Sequence, residues 1–226
     1  MSVFYGNRLV TDNLLVYLDG YNTKSYPGSG NIWYDLSGKN NNATISNSPT
    51  FSDHNFTLNG SNQNMQITNN GTMFDGMRNE QTVMVALWKN TFTSRQNPLN
   101  ISYAGIGTWT HETNSVMNGF FGNLGYDGGS SPTYYTSMQQ TFNSGQWNFL
   151  TRTIKYPNHA WFNSLNKTSG SNPFVTLGDT NANILIGSGY AGYWSGKIGL
   201  LLIYDRELTD SEVAQNFNVF KNRYGL

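Results

Sequence analysis

The stretch that decides the fold is the C-terminal segment Tyr193–Leu226, YWSGKIGLLLIYDRELTDSEVAQNFNVFKNRYGL. Its apolar run over Lys197–Asp205 predicts a strand, and a short helix with a complete start signal follows directly. Thr209 is placed to cap this helix, and Glu212, three residues later, is placed to reach back to the cap. The pair forms a capping box, so the sequence itself marks where the helix begins.

The predicted helix is amphipathic and spans residues 210–223. Val213, Phe217 and Phe220 follow one another at i, i+4 and i+7 and therefore share one helical face. Leu208, before the cap, is spaced to close a hydrophobic staple with Val213. Almost everything upstream has the pattern of strands, so the predicted class is an all-β chain closed by one C-terminal helix.

Alternating or doubly apolar runs bounded by Gly, Asn and Pro predict the upstream strands. They lie near residues 14–19, 43–46, 55–58, 63–67, 81–88, 101–106, 116–121, 133–138, 147–155, 159–163, 183–187 and 197–205. Gln81–Trp88 and Gly199–Tyr204 are apolar on both faces, which predicts central strands with one face in the core and the other under loops or a ligand surface. The regular strand and turn spacing favours an antiparallel sandwich or jelly roll.

No linker, charge block or change of composition divides the chain. We therefore predict a single domain over residues 14–226. Residues 1–13 precede the first strand, and we predict that they form an N-terminal arm or an extra edge strand.

Both ends of the sequence resemble a known family. Gly196–Ile198, the apolar strand, Ile203–Glu212 and a helix ending in Arg223–Gly225 are similar to the end of concanavalin A-like, laminin G-type domains. Four N-terminal segments resemble the version of this domain found in tailed-bacteriophage virion proteins: Leu14–Asp19, Ser25–Gly30, Trp33–Asn42 and Phe56–Asn62. The resemblance implies a concanavalin A-like jelly-roll sandwich of two curved antiparallel sheets, with the short C-terminal α-helix packed at one end.

The composition argues against several classes of protein. Charged residues are 12% of the chain and the formal net charge is zero, so there is no basic excess for nucleic acid. No run approaches the roughly 18 apolar residues of a membrane span. The N-terminus lacks the charged start and apolar stretch of a secretory signal. With the resemblance, these features predict a virion protein made in the host cytoplasm without a signal peptide.

The residue patterns expected of a catalytic site are missing. Retaining glycosidases need two carboxyl groups about 5–5.5 Å apart, and the acids with same-face strand spacing are Asp205 and Glu207, at a strand end. The glucanase motif of alternating acids is absent, as are cysteine and a Gly-x-Ser-x-Gly elbow. We predict no catalytic residues and no enzymatic activity. The alternative is a polysaccharide lyase or hydrolase, for which Tyr156 with His159 is the only loose candidate pair.

Gly187–Gly192 matches the pattern G-x-G-x-x-G. A dinucleotide site needs a helix after this pattern, because the helix N-terminus binds the pyrophosphate. Here Tyr193–Ser195 and a further strand follow. We interpret the segment as a glycine-rich connection between two strands.

Aromatic residues on loops are the first candidates for ligand binding. Rings with one polar atom stack on sugar faces and donate hydrogen bonds at the edge. Tyr190, Tyr193 and Trp194 are flanked by glycines, and we predict that they form an exposed cluster; the alternative for each ring is a place in the core or in a subunit interface. The predicted glycan-binding residues are Tyr190, Tyr193, Trp194, Trp109, Tyr134 and Tyr135, and Tyr126 has a similar loop context.

A hard cation is the second candidate ligand. The loop Asp35–Asn42 supplies a carboxylate, a hydroxyl, amide carbonyls and a glycine, which is the oxygen set that calcium prefers. Related laminin G-type domains often hold calcium at the rim of the sandwich, so the resemblance implies a calcium site at Asp19, Asp35 and Asn40. The alternative is that these side chains cap their own turns. No cofactor is expected to be required.

Taken together, the sequence favours a non-enzymatic phage virion structural protein, a head decoration or fibre component that displays a lectin-like domain and binds host or environmental glycans. Its partners would be capsid or fibre subunits and cell-surface glycans, and we expect many copies or an oligomer on a symmetric particle. The alternatives are a soluble carbohydrate-binding lectin module and a tail receptor-binding protein.

Overall fold

The computed structural model describes residues 8–71, 73, 77, 80–89, 91, 93–100, 108–111, 116–121, 135–155, 157–171 and 182–226. Within these ranges, sixteen strands alternate with turns: β1 (Leu14–Asp19), β2 (Ile32–Trp33), β3 (Ala43–Ser46), β4 (Thr50–Ser52), β5 (Asn55–Asn59), β6 (Asn64–Ile67), β7 (Glu80–Trp88), β8 (Gln96–Asn100), β9 (Thr108–His111), β10 (Val116–Phe121), β11 (Tyr135–Thr141), β12 (Trp147–Lys155), β13 (Asn158–Asn163), β14 (Asn166–Ser171), β15 (Ile184–Ile186) and β16 (Ser195–Tyr204). The predicted strand at 101–106 lies outside the described residues.

The strands form two antiparallel sheets. Sheet A has the order β14-β13-β12-β7-β16-β5-β4, with β1 also paired to β16, and sheet B has the order β11-β10-β9-β8-β15-β6-β3-β2. β5 and β1 share one side of β16, because β5 pairs with Ser195–Ile198 and β1 with Leu200–Tyr204. This arrangement confirms the predicted all-β sandwich of antiparallel sheets.

β15 and β16 follow one another in the sequence, and each occupies a central position in one of the two sheets. In sheet B, β15 lies between β6 and β8. In sheet A, β16 lies between β7 on one side and β5 with β1 on the other. The connection between β15 and β16, residues 187–194, is therefore anchored at both ends in central strands.

The space between the sheets holds the main core. Inward-facing residues of β7 (Val83, Val85 and Leu87) meet Ile184 and Ile186 of β15, all of them fully buried. The other face of β7 carries Met84 and Ala86, which belong to a second buried cluster. The double-sided apolar pattern thus corresponds to a central strand that packs on both faces, as predicted.

Helix α1 (Asp210–Phe220) covers the outer face of sheet A. Its capping box is confirmed: the Glu212 amide donates to Thr209 Oγ1 at 3.3 Å, and the Thr209 amide donates to Glu212 Oε2 at 2.9 Å. The predicted face of Val213, Phe217 and Phe220 is buried. Residues 221–223 form a 3₁₀ turn, so the α-helix is three residues shorter than predicted.

The expectation that the helix packs at one end of the sandwich is wrong. Val213, Phe217 and Phe220 join Met84, Phe149 and the outer face of β16 in one buried cluster. The physical reason is that β7 and β16 are apolar on both faces, so their outer face has to be removed from water. The eleven-residue helix, the only α-helix among the described residues, is too short and too polar to cross a membrane.

Residues 8–13 lie along the helix and contain no strand. Gln215 Nε2 donates to the Arg8 carbonyl at 2.6 Å, and the Val10 amide donates to Asn216 Oδ1 at 2.9 Å. This part of the segment resembles the predicted arm more than an edge strand. Residues 1–7 lie outside the described ranges, and the single-domain division at residue 14 stays a prediction.

Asp19, at the end of β1, binds the last turn of the chain. Its carboxylate is fully buried and accepts hydrogen bonds from Arg223 Nη1 (2.7 Å), the Tyr17 hydroxyl (3.0 Å) and the Tyr21 amide (2.9 Å). The Tyr21 hydroxyl donates in turn to the Arg223 carbonyl at 2.6 Å. A first strand and a final turn that are 204 residues apart are thereby held together.

Candidate functional site

The connection between β15 and β16 is held in one conformation by hydrogen bonds to β8. The Ala191 amide donates to Asn97 Oδ1 at 2.6 Å, and the Ser195 amide donates to Gln96 Oε1 at 2.8 Å. The Asn97 amide donates to the Gly192 carbonyl at 3.4 Å. The prediction of a glycine-rich connection between two strands is confirmed, and its side chains stand on a fixed backbone.

Two of its glycines are required by the geometry. A Cβ on Gly189 would lie 2.7 Å from the Asn97 side chain and 2.8 Å from Asn100 Cβ, so only glycine allows this close approach. Gly192 has a φ of 108°, which L-residues rarely adopt. Gly189 therefore allows the connection to lie directly against β8, and Gly192 allows the backbone to turn.

Tyr190 and Tyr193 project from this connection into solvent. Tyr190 is 50% exposed and Tyr193 is 36% exposed. Arg95, just before β8, donates from Nη2 to the Tyr190 hydroxyl at 3.0 Å, and its guanidinium lies 5.7 Å from the Tyr190 ring centroid. We call Arg95, Tyr190 and Tyr193 the tyrosine patch.

Trp194 does not belong to this exposed group, so its predicted exposure is wrong. The residue is fully buried and makes an edge-to-face contact with Phe142, with ring centroids 5.9 Å apart. The backbone is extended as it enters β16, and neighbouring side chains of extended backbone point to opposite sides. Tyr193 thus faces water while Trp194 faces the core.

Lys89 directly follows β7 and lies against Trp194, the residue after Tyr193. Its side chain is almost fully buried; its Nζ lies 4.5 Å from the centroid of the Trp194 ring and donates a hydrogen bond to Gln96 Oε1. Burial lowers the pKa of Lys89 to about 8, because the charged ammonium loses its hydration. Gln96 therefore connects the buried cation to the backbone of the connection at Ser195.

The sequence around the tyrosine patch is basic. Segments 88–97 and 187–198 contain Lys89, Arg95 and Lys197 and no aspartate or glutamate. Of these three, Arg95 is exposed, Lys197 is partly buried and Lys89 is buried, so Arg95 and Lys197 carry the positive charge that faces solvent here. Sequence reasoning missed Lys89, Arg95, Gln96 and Asn97, since only the fold brings β7, β8 and the connection together.

The other predicted glycan-binding residues do not join the tyrosine patch among the described contacts. Trp109 lies in β9, paired with Leu99 and Gly119, and Tyr135 begins β11, paired with Phe121. The structure describes the backbone of these two residues and not their side chains. Tyr126 and Tyr134 lie outside the described residues, so these four stay predictions.

The predicted calcium ligands make hydrogen bonds within their own chain. Asp35 Oδ1 accepts from the amides of Tyr17 (2.8 Å) and Ser37 (2.9 Å), and Oδ2 accepts from the Ser37 hydroxyl (2.6 Å) and the Asn41 amide (3.0 Å). Asp19 pairs with Arg223 instead of joining this loop. These contacts favour the alternative of a self-capped turn.

Asn40 has a φ of 60° in the same turn, a conformation that asparagine tolerates well. No cluster of three or more His, Asp or Glu side chains suited to a metal occurs among the described residues. The calcium site stays a prediction. His159, of the loose lyase pair, is buried, and burial with nearby Arg152 lowers its pKa, while Tyr156 lies outside the described residues.

Comparison with known proteins gives matches among solved structures. No protein-family model and no curated protein match the chain. Trypanosoma rangeli sialidase with 2,3-difluorosialic acid, described as a covalent intermediate, is similar at 15% identity and TM-score 0.69, over 96% of this chain and 35% of that one. The binding domain of botulinum neurotoxin DC with SialylT is similar at 12% identity and TM-score 0.71, over 92% and 52%. The same toxin domain with rat synaptotagmin II is similar at 13% identity and TM-score 0.67, over 93% and 52%.

These likenesses show the fold, an antiparallel β-sandwich. The chain spans about a third of the sialidase and about half of the toxin binding domain. The prediction that the chain is not an enzyme is wrong, because sialidases are among the structures that share its fold. The lack of the alternating-acid motif was therefore no ground for excluding enzymes, although the toxin neighbours are described as binding domains.

Proposed function

We propose that the chain is a carbohydrate-binding, lectin-like β-sandwich that binds glycans through the tyrosine patch. The observation that carries the proposal is the pair of exposed rings, Tyr190 and Tyr193, on a connection fixed to β8 by three hydrogen bonds between residues 96–97 and residues 191–195. A rigid ring platform stacks on a sugar with little loss of conformational entropy on binding. Arg95 adds hydrogen-bond donors at the edge of the platform.

The basic surroundings support acidic glycans as the ligands. Arg95 and Lys197 lie in segments without an acid and are not buried, and the guanidinium of arginine matches a carboxylate with two parallel hydrogen bonds. Two of the structural neighbours are described in complex with a difluorosialic acid and with SialylT. Sugars that carry a carboxylate are therefore the first ligands to test.

A glycan array with matched sialylated and desialylated structures tests this proposal. We expect binding to the sialylated members, and a loss of affinity of about tenfold or more for Tyr190→Ala, which removes a stacking ring. Arg95→Gln is expected to weaken binding to the sialylated members and to leave binding to the desialylated members unchanged.

Tyr34→Ala is the matched control, because Tyr34 is also an exposed tyrosine, 46% accessible, and lies near β2 in sheet B. It should bind like the unmodified protein. Equal binding by the Tyr190→Ala and Tyr34→Ala proteins would contradict the placement of the site, and no binding to any glycan would contradict the function.

We further propose that the domain is of the laminin G type and is displayed on a tailed-phage particle, with capsid or fibre subunits as partners. The support is the sequence resemblance at both ends, Leu14–Asp19 with Trp33–Asn42 and the segment Ile203–Glu212. Mass spectrometry of purified virions should detect the chain, and immunogold labelling should place it on the head or the tail. Virions without the chain would rule this proposal out and leave the glycan proposal intact.

A further inference from the structure

A pocket of about 360 Å³ lies at the other end of β16, where that strand meets β1. Its volume is at the lower end of the roughly 300–1,000 Å³ that small-molecule sites occupy. The polar residues that line it are Thr11, Asn13, Ser37, Lys39 and Asp205, and Leu15 adds an apolar side. Most small-molecule pockets are predominantly apolar, so this lining selects a small, hydrophilic ligand.

The walls of the pocket are fixed by hydrogen bonds. The Asp205 amide donates to the Asn13 carbonyl at 3.1 Å, which joins the end of β16 to the turn before β1. The Ser37 hydroxyl lies 3.0 Å from the Leu15 carbonyl and 2.6 Å from Asp35 Oδ2. Ser37 and Lys39, of the loop proposed from sequence to hold calcium, thus line the same pocket as Asp205.

Asp205 has a hydrogen-bonding capacity that its surroundings do not use. Its Oδ1 is shielded from solvent, and no donor among the described residues reaches it. The shielded Oδ1 is out of reach of a ligand, and no described hydrogen bond uses the other carboxylate oxygen, Oδ2. Because Asp205 lines the pocket, a ligand hydroxyl can donate to Oδ2.

A divalent cation fits the pocket less well than a hydroxylated ligand. Calcium takes 6–8 oxygen ligands. This lining contains only one carboxylate, that of Asp205, together with the positively charged Lys39. The nearby carboxylate of Asp35 already accepts four hydrogen bonds. A hydroxyl group suits both charged residues of the lining, because it can donate a hydrogen bond to Asp205 and accept one from Lys39.

We propose that this pocket is a second binding site, independent of the tyrosine patch, and that its ligand is a single neutral sugar unit. Adjacent hydroxyls of a pyranose would meet Asp205 and Lys39, with Asn13 and Ser37 within the same lining. The ten residues of β16 separate the pocket from the tyrosine patch by about 30 Å. One sugar ring therefore cannot contact both sites.

Chemical-shift mapping of backbone amides tests this proposal, with the methyl glycosides of glucose, galactose, mannose and N-acetylglucosamine as probes at millimolar concentration. We expect at least one of them to shift the amides of Asn13, Ser37, Lys39 and Asp205 in a saturable way. Asp205→Asn should raise the Kd at least about fivefold, and Lys39→Ala, at an exposed side chain, should also raise it.

Two control variants separate this site from the patch. Tyr190→Ala and Asp53→Asn, the latter in an exposed turn with φ of 50° that asparagine tolerates, should leave the Kd at the pocket unchanged. The proposal is overturned by the absence of saturable shifts with all four glycosides, or by unchanged affinity in folded Asp205→Asn or Lys39→Ala protein. Shifts at these amides with calcium chloride and with none of the sugars would overturn it in favour of a cation site.

Discussion

Lys89 has surroundings that are unusual for a lysine. It belongs to a protein whose surface is poor in charge, yet it is 3% exposed and lies against the Trp194 ring. Its depressed pKa means that the folded protein releases the Lys89 proton near pH 8, while the unfolded chain keeps it to about pH 10.5. Between these values the unfolded state binds more protons, so this residue makes stability rise with pH.

Replacing Lys89 by methionine should therefore change the pH dependence of unfolding. Lys89→Met removes the cost of burying the charge, so the stability of the variant relative to wild type should be highest below pH 8. Between pH 7 and pH 10.5 the wild type should gain about 2–3 kcal/mol of unfolding free energy relative to the variant. Urea unfolding at both pH values measures it.

Lys197→Met is the control, because Lys197 also lies over a tryptophan ring, that of Trp88, but is only partly buried. The difference between Lys197→Met and wild type is the reference against which the change for Lys89→Met is compared. A constant difference for Lys89→Met would show that Lys89 titrates like an ordinary lysine.

The tyrosine patch could be predicted from the sequence only in part. Tyrosines among glycines indicated a loop with exposed rings, and Tyr190 and Tyr193 are exposed. Trp194 was grouped with them, although the alternation of extended backbone that begins at β16 assigns it to the opposite side. Arg95 and Lys89 could not be found, since they come from segments about a hundred residues earlier whose position depends on the sheet order.

At the scale of secondary-structure elements, the strands and the helix that carry a signal in their own sequence are the ones that could be predicted. The strand β16 and helix α1 carry apolar periodicity, a capping box and a staple, all within some thirty residues. β14, with the sequence NKTSGS, has no apolar alternation because it is an exposed edge strand. β8 contains Pro98, which argues against a central strand, but the register is irregular between Gln96 and Leu99 and accommodates it.

The start of α1 should make the fold sensitive to acid. Arg206 donates to both Glu212 carboxylate oxygens, at 2.7 and 2.9 Å, and this contact lowers the pKa of Glu212 to about 2. Above the ordinary value of 4.5 the contact contributes fully, and as the pH falls toward 2 the unfolded chain takes up the proton first, so the contribution is lost. Glu212→Gln should lower the free energy of unfolding by about 1 kcal/mol at pH 6 and by almost nothing near pH 2.

Acid titrations followed by circular dichroism would measure this change. Asp210→Asn is the control, because Asp210 lies in the same helical turn with a side chain that is 65% exposed. Its effect should stay below about 1 kcal/mol at pH 6. If the Glu212→Gln protein differs from wild type by the same amount at pH 6 and at pH 2, the Arg206 contact is not the cause.

At the scale of the whole molecule, the chain forms three layers: sheet B, sheet A and the helix. The sandwich and the helix could be predicted because apolar patterns are local, but the third layer follows only from sheet A being apolar on both faces. Asp19 and Arg223 then tie the first strand to the last turn. The contact lies at the border between the layers and orders Tyr17 and Tyr21 as well.

Removing the Asp19 carboxylate should destabilise the protein as a whole. Asp19→Ala leaves Arg223 and the Tyr17 hydroxyl without their buried partner, and breaking a buried ion pair costs about 3–5 kcal/mol. Asp12→Ala breaks another Asp–Arg pair, with Arg206 at 3.3 Å, but Asp12 is 77% exposed, so the expected cost is below about 1 kcal/mol. Urea denaturation compares the two, and equal costs would contradict a structural role for the buried pair.

The late position of β15 and β16 in the chain also sets an order of events during synthesis. β1 is made first, but its partner in sheet A is β16, which a ribosome adding about 5–20 residues per second completes only after residue 204. Until then β7 with β12–β14 and β4 with β5 are separate groups of paired strands, and in sheet B the strands on the two sides of β15 are equally unconnected. The nascent chain therefore carries unpaired strand edges until β16 has been made, and the proposed binding surfaces form together with the protection from aggregation once β16 joins sheet A.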